Sequence, residues 1–573
     1  MILLAAVAVA LCIPPPALAY GPVLSMSDTK PHAVVVGAGW GGWGAAKALC
    51  ENGCKVTLLD GLPDPTGAKP YLTPTGKPFE PGVRGFWKDY PNIVDLLGQV
   101  GLEESDVFTP FTGSSFFSPY GLEATAPVFG DGPFKLPGPL SSLPITLPDE
   151  LPSPLGQVLA TFPNFKRIPV KDRTTMLGLL YAMLDFQRDE KTFEAYDRMT
   201  AHELFIRMGV SKRLVDDFIK PTLLVGLFKP PEELSAAVAM ELLYYYALAH
   251  QTSFDVRWMK KDSIATQIIN PLAESLLENY DIEVKGGCLV EELQVADGRV
   301  SGIKYKERSG EGGEISDISA CVLAVGAKGM KGIVSGSPAL AEASPELTKA
   351  ASLDSIDVMA VRLWLDTYVP TETPANVWSR FESQRGAGGT FFMLDDLQKE
   401  HEEELWGGEK PQGSVVACDF YNAGALINLS DETIIKTIID ELLPAAVPGF
   451  AGVEVVDSFV QRYPKAVSWF SPGSYTKRPP LEVAGFSNLV CAGDWVRMGD
   501  REHGAKGLCQ ERAYVSGLQA ANVLAERGVL GGDYASQHTV IPIRDDEPQV
   551  KVGRAVNSRL QGLLGPLASP WVR

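Results

Sequence analysis

The sequence predicts an α/β protein: a Rossmann-like dinucleotide-binding body, assembled from distant pieces of chain, with an α+β body inserted between them. Three observations predict it. A β-branched run, Ala33 to Val36, leads into Gly37-Ala-Gly39-Trp-Gly41-Gly42, a helix-compatible WGAAKALCENG and a second strand-like run, KVTLLD. Far away, FSNLVCAGDWVRMGDREHGAKGLCQERAYVSGLQAANVLAE at 486–526 reads as strand, loop, helix. Between them lie runs with helical and strand periodicities and no repeat.

Each piece of the first unit has a physical task. Gly37 permits the tight turn, Gly39 lets backbone approach a pyrophosphate, and Gly42, with Gly41 beside it, lets the helix pack on the strand. The helix start then presents unpaired N–H groups to the phosphates. Asp60 ends the second strand, where a carboxylate accepts ribose hydroxyls, and no Arg or Lys follows at once to meet a 2′-phosphate. In the distant unit the strand is expected at Asn488–Ala492. The expected helix starts near Gly507, with a small face of Ala513, Gly517 and Ala521. Gly493, Asp494, Gly504 and Ala505 are the expected cofactor contacts in the loop. The glycine turn serves FAD and NAD alike; if the dinucleotide is a flavin, a helix start facing its N1/O2 edge would stabilise the reduced anion, and Asp494 would bond the ribityl or diphosphate region.

Composition narrows the function. At 573 residues, with 45% hydrophobic and 21% charged, the chain can bury a large core. A formal charge of −19 repels phosphate backbones, so nucleic acid is not an expected partner. Eight cysteines without a CxxC pair, and six scattered histidines, give no zinc or disulfide framework; Cys50 and Cys54 share a helix-face spacing but no second pair completes a tetrahedron.

Residues 1–20 read as a separate leader: no charged side chain, an apolar run from Ile2 to Ile13, prolines 14–16, then Ala17-Leu18-Ala19. The prolines stop the run short of a membrane span. The Ala-Leu-Ala junction before Tyr20 resembles the bipartite leaders of algae with secondary plastids, which implies a plastid (chloroplast) location. Simple secretion, with Asn428 as a glycosylation site, is the alternative.

Further segments fall in a telling order: Pro65-Thr-Gly67; Phe79-Glu80-Pro81-Gly82-Val83-Arg84-Gly85-Phe86-Trp87; Tyr90-Pro91-Asn92-Ile93 opening a helix to Leu102; Phe218-Ile-Lys-Pro221; Ser235-Ala-Ala; MAVRLWLD at 359–366; and Tyr463-Pro464-Lys465-Ala466 leading to Ser471-Pro472-Gly473. With the two glycine units, this series resembles the FAD-dependent amine oxidase superfamily, in its carotenoid desaturase and isomerase branch (phytoene and zeta-carotene desaturase relatives). The resemblance covers most of the chain. It implies a GR2-type flavoprotein fold with FAD as cofactor, a backbone contact of Val290 with adenine, and the return of strand 321–327 to the cofactor body. The family's double glycine with a following Arg stands here as Thr66-Gly67-Ala68-Lys69, leaving Gly67 as a cofactor contact and Arg84 as the nearest diphosphate arginine. On this reading 31–110, 257–329 and 481–530 form the FAD-binding domain, 111–256 and 330–480 the substrate domain, and 531–573 a tail.

A second GxGxxG is absent, since Gly326-Ala-Lys-Gly329 lacks the middle glycine, so electrons are expected to leave to a quinone or O2. Eight prolines between 126 and 155, interleaved with apolar residues, predict a long apolar loop: a lid, a membrane-laid surface or plain packing. Helical runs follow at 174–186, 201–210, 212–220 and 236–250, apolar on more than one face; Tyr244, Tyr245 and Tyr246 either flank a long polyene or belong to the core. The tail, with Asp545, Asp546 and Glu547 and then Leu560, Leu563, Leu564 and Leu567, either docks on the protein or seats on a membrane face.

No catalytic acid or base matches by spacing. The leading reading is an FAD-dependent oxidoreductase that desaturates or isomerises a carotenoid-like polyisoprenoid lipid, with peripheral membrane contact at the thylakoid or envelope. The alternatives are a flavin-dependent amine oxidase, with Trp469 and Trp495 as its aromatic cage, or a non-catalytic flavoprotein partner of a photosynthetic membrane complex.

Overall fold

Five short strands pair in parallel to make the central sheet, four of them buried along nearly their whole length and the edge strand Ile282–Lys285 partly exposed. Their order is Leu489–Cys491, Ala320–Leu323, His32–Val36, Lys55–Leu59 and Ile282–Lys285. Their runs lack polar alternation because helices and loops cover both sides, as parallel sheets require. The strands His32–Val36 and Leu489–Cys491, more than 450 residues apart, thus enter one sheet, separated by the single strand Ala320–Leu323.

The helix Trp40–Glu51 crosses the helix Gln510–Glu526 at backbone contact. A Cβ on Gly517 would lie 2.1 Å from the Gly41 carbonyl oxygen, and one on Gly44 would lie 2.4 Å from that of Tyr514. Small residues are needed on both helices, as the pattern Ala513, Gly517, Ala521 implies. An antiparallel sheet of Cys288–Ala296, Arg299–Glu307 and Gly312–Ser316 follows the fifth parallel strand.

A second, seven-stranded sheet runs in the order Val455–Ser468, Ser355–Leu365, Val415–Tyr421, Gly388–Met393, Ala375–Trp378, Ser114–Ser118 and Gly121–Ala126. All its pairs are antiparallel except Ala375–Trp378 with Ser114–Ser118. Ile434, Ile438, Leu442 and Leu443 close one core of this sheet. The helices between residues 155 and 247 carry buried rings and aliphatics on several faces, as expected for an all-round apolar body. Three helices contain a wide turn, at Val215–Ile219, Ala265–Ile269 and Ile438–Leu442, and each ends two residues before a proline: Pro221, Pro271 and Pro444. Proline has no N–H and its ring crowds the carbonyl a turn earlier, so the helix opens there. In the first case Thr222 Oγ1 takes up the Phe218 carbonyl at 2.7 Å.

The computed structural model describes residues 30–130, 150–531 and 538–564. The leader 1–20, most of the proline-rich stretch and Leu567 lie outside them. Pro31–Arg573 forms one compact unit. Among the described residues no helix is long and apolar enough to cross a membrane, no group of side chains could hold a metal, and Cys50, Cys54, Cys288, Cys321, Cys418, Cys491 and Cys509 are free and buried.

Candidate cofactor site

At the end of the strand His32–Val36, Gly37 turns with φ of 103°, and a Cβ there would press on the Ala324 carbonyl oxygen at 2.3 Å. Gly42 is fixed more tightly, since its Cβ would lie 1.7 Å from the Gly37 oxygen. Gly39 differs. A Cβ there meets no protein atom within 4 Å, and the helix it opens has neither a side-chain cap nor an acidic residue in its first turn. Packing leaves that helix end open, with free N–H donors, as an anion-binding end needs.

The Asp60 carboxylate receives the N–H of Ala38 and of Leu62, each at 2.7 Å on a different oxygen, so it braces the turn and keeps a lone pair on each oxygen. Bonds from Gly287 N to Leu62 O (2.6 Å) and Cys288 N to Asp60 O (2.8 Å) bring the Val290 strand beside Asp60. Val290 is buried, and its ladder skips a residue before Glu292. Gly67, with φ of 69°, sits in a turn made by Asp64 and presses against the Ala265 carbonyl, which accounts for the glycine without a ligand.

Gly493 has φ of 129° and donates to Ser516 Oγ at 2.7 Å; a Cβ on Gly41 would lie 2.9 Å from its nitrogen. The two distant glycine units therefore touch. The expected helix start near Gly507 is corrected to Gln510, because Cys509 caps that end: its Sγ takes the Arg512 N–H and its carbonyl the Ala513 N–H. Residues 504–508 form the preceding loop, with Gly504 at φ of 68° and Ala505 partly buried against the core.

Sequence reasoning missed the side chains that hold this loop. Arg512, 1% exposed, donates to the carbonyls of Asp494 (2.9 Å), Val496 (2.6 Å) and His503 (3.0 Å) and pairs with Glu502. Glu511 accepts from Asn92 N (2.9 Å) and Ile93 N (3.0 Å), supplying the missing N-terminal cap of the helix Pro91–Gln99 and explaining the Tyr-Pro-Asn segment; that helix ends at Gln99, short of Leu102. Arg188 grips Glu241 through two bonds (3.0 and 2.9 Å) and donates to Gly504 O at 3.2 Å, while Lys506 Nζ donates to Arg188 O at 2.6 Å. Burial alone would raise the Glu241 carboxyl, but Arg188 holds it below its ordinary range. These residues are far apart in sequence and belong to no local motif.

Loss of water pushes the Asp494 carboxyl up to about 6, against the pull of Arg512 and Arg478. Arg478 itself is buried under the Phe470 ring (4.4 Å) and its Nε and Nη2 find no hydrogen-bond partner among the described residues. Unpartnered cationic donors beside Asp494, with the open end at Gly39, are what a cofactor carrying a diphosphate and carbonyl oxygens would satisfy. The residues present fit FAD.

The half-exposed Arg84 guanidinium reaches Glu80 (3.9 Å) and the Pro81 carbonyl (3.5 Å), while the adjoining Gly85 accepts from Gln510 (3.0 Å) and Phe86 meets Trp40 beside the glycine turn. The extended segment around Arg84 lies along the second sheet, where Val83 N donates to Asp419 Oδ2 at 2.9 Å. Behind it a cavity of about 20 Å³, room for about one water, is lined by Phe79, Glu80, Met259 and Arg362 among others. Arg362 is 4% exposed and its Nε is unpartnered among the described residues. Burial pushes Glu80 up to about 7 and Asp419 up to about 6, in each case against nearby arginines.

Trp495 is buried and donates to Val325 O (3.0 Å), whereas Trp469 donates to Glu233 O (2.9 Å) with Lys229 over its ring. Tyr244 bonds Asp546 and Tyr245 receives Arg188 (3.0 Å), so these rings belong to the packed ionic core.

The chain belongs to the flavin-containing amine oxidoreductase family, whose model matches residues 42–525. It is an FAD-dependent oxidoreductase. Among named relatives it is 23% identical over 483 residues to the 15-cis-phytoene desaturase, chloroplastic/chromoplastic, of Solanum lycopersicum, covering 82% of this chain and 75% of that one. It is 30% identical over 213 residues to the corresponding protein of Capsicum annuum, covering 36% of this chain and only 33% of that one. Among solved structures it is similar in fold to cyclohexylamine oxidase from Brevibacterium oxydans (15% identity, 87% of this chain, 99% of that one, TM-score 0.57). A putrescine oxidase double mutant is similar to the same degree (14%, 87% and 99%, TM-score 0.58).

Proposed function

We propose that this oxidoreductase desaturates or isomerises a carotenoid-like polyisoprenoid lipid in a plastid. The observation that carries the reading is the alignment with a phytoene desaturase along 82% of the chain. Plastid residence is supported by the leader's Ala-Leu-Ala-Tyr20 junction and by the chloroplastic names of the relatives.

Making a double bond removes a hydride from one carbon and a proton from its neighbour; FAD, when bound, accepts the hydride. The chain's share is to hold the cofactor from both ends, exclude water and manage the proton. Glu80, partly buried, and Asp419, buried, are carboxyls raised to about 7 and about 6, so each can hold a proton near that pH. The reduced cofactor would pass its electrons to a quinone or O2, since the sequence has no second nucleotide fingerprint.

The test is anaerobic mixing of FAD-loaded protein with a linear polyene and, separately, with primary and secondary amines. Bleaching of the flavin band by the polyene alone is expected for desaturation, and a changed polyene isomer without net bleaching for isomerisation. Reduction by amines with peroxide release in air, or neither bleaching nor an isomer change with any polyene, would overturn the proposal.

A further inference from the structure

The helices that follow the two glycine units are tied together at their first residues. Trp40 opens the helix after Gly39, Gln510 opens the helix after the Asp494 loop, and the Trp40 indole N–H donates to Gln510 Oε1 at 3.0 Å. The same carboxamide donates through Nε2 to the Gly85 carbonyl at 3.0 Å. One side chain thus holds two pieces of chain that lie 470 and 425 positions away from it. Edge-on contacts with Phe86 (6.4 Å) and Tyr514 (6.2 Å) steady the indole. Gly85 is fixed in turn by Val256, whose Cγ2 lies 2.5 Å from where a Cβ would go.

Two features set this tie apart from the buried ionic contacts of Arg512 and Glu511 nearby. Trp40 and Gln510 are both only partly buried, so their bonds can open to water without unpacking the core. The tie is also neutral throughout: the carboxamide uses a donor and an acceptor at once, which Met, Leu and ionised Glu cannot do. Such bonds, exchanged for bonds to water, add little to net stability, yet they must break before the segments they join can part. Trp40 directly follows Gly39, the glycine whose added Cβ would meet no protein atom. The tie therefore stands beside the helix end that packing leaves open.

We propose that Trp40, Gln510 and the Gly85 carbonyl form a latch that governs exchange of the cofactor. Trp40 and Gln510 are positioning residues: they let go before the glycine turn, the Asp494 loop and the Gly85 segment separate. Both bonds run between groups of the chain and use no atom of FAD, so the closed latch opposes entry and departure alike. It sets rates, whereas the open helix end at Gly39 sets affinity. The inference holds whatever the substrate is, and its test needs no turnover, so it stands or falls apart from the polyene reading.

The experiment is stopped-flow uptake of FAD by the stripped full chain, read by flavin fluorescence, with release from the loaded chain measured into an excess of an apoflavodoxin trap. Gln510→Met removes both bonds at nearly constant volume and should speed uptake and release each about tenfold; Trp40→Phe removes one and should speed each about fivefold. The dissociation constant should stay within about twofold, and the double variant should be no faster than Gln510→Met. Gly517→Ala loosens the crossing of the same two helices but keeps the latch bonds, and should speed neither step. Unchanged rates in Gln510→Met overturn the proposal. So does faster release with unchanged uptake, the mark of a direct cofactor contact, or equal acceleration in Gly517→Ala, the mark of general loosening.

Discussion

Single glycines in this fold do two different jobs, and the geometry separates them. Gly517 is a packing glycine, with the Gly41 oxygen 2.1 Å and the Ala45 nitrogen 2.6 Å from where a Cβ would go. Gly39 faces open space. Gly517→Ala should therefore lower stability by about 1–3 kcal/mol with or without FAD. Gly39→Ala should leave the apoprotein melting temperature unchanged and weaken FAD binding, measured by titration of the stripped protein. A loss of apoprotein stability in Gly39→Ala would contradict the assignment. At the seam with the second sheet, Glu80 is raised to about 7 and Asp419 to about 6. Each is neutral below its value and charged above it, so the seam gains negative charge as pH rises through that window. The rate of cofactor reduction should inflect there, and Glu80→Gln, permanently neutral, should carry the low-pH behaviour upward to about pH 8. An unshifted profile in Glu80→Gln would remove Glu80 from the proton path.

Elements are tied across the site by buried charge. The Arg188–Glu241 pair joins the helix Ala236–Ala247 to the Gly504–Lys506 loop. Arg188→Met leaves Glu241 buried without its partner and should cost about 3–5 kcal/mol in urea unfolding; the double variant Arg188→Met, Glu241→Leu should recover part of that. The sign of the pH effect follows from the depressed carboxyls. Glu241 and Glu502 lie below their ordinary range in the folded state, so their stabilisation is complete above the unfolded-chain carboxylate pKa of about 4.3. It is lost as pH falls through the folded values. Acid unfolding of the parent should be blunted in the double variant.

The whole molecule is strapped by its own tail. His538 bonds the Ala48 carbonyl (2.9 Å) on the first helix, Ile541 N donates to Asn92 (2.8 Å), Arg544 pairs with Asp89 (2.7 Å), and Asp546 meets Tyr244 of the helical body. Deleting 538–573 removes all of these at once. The full chain should melt in one calorimetric transition, and the truncated chain should melt lower and be cut faster by protease. Equal melting would make the strap ornamental.

The order of the glycine turn, Asp60 and the far Gly493-Asp494 was legible in the sequence because each obeys a local rule: a positive φ, a strand end, a small residue under a crossing helix. The strands of both sheets were legible where burial on both sides gives a continuous apolar run, as at Ala33–Val36 and in MAVRLWLD. What only tertiary structure decided are the partners brought together by folding: Arg512 under the Asp494 loop, Glu511 at the Pro91 helix, Arg362 behind Glu80, and Arg84 at the second sheet. Their positions depend on contacts between residues tens to hundreds of places apart, and a charged side chain carries no local mark of whether it will be buried. Sequence alone determined the class of chemistry through backbone turns that only certain residues can make; the electrostatics of the site arose when distant chain segments excluded water from the same space.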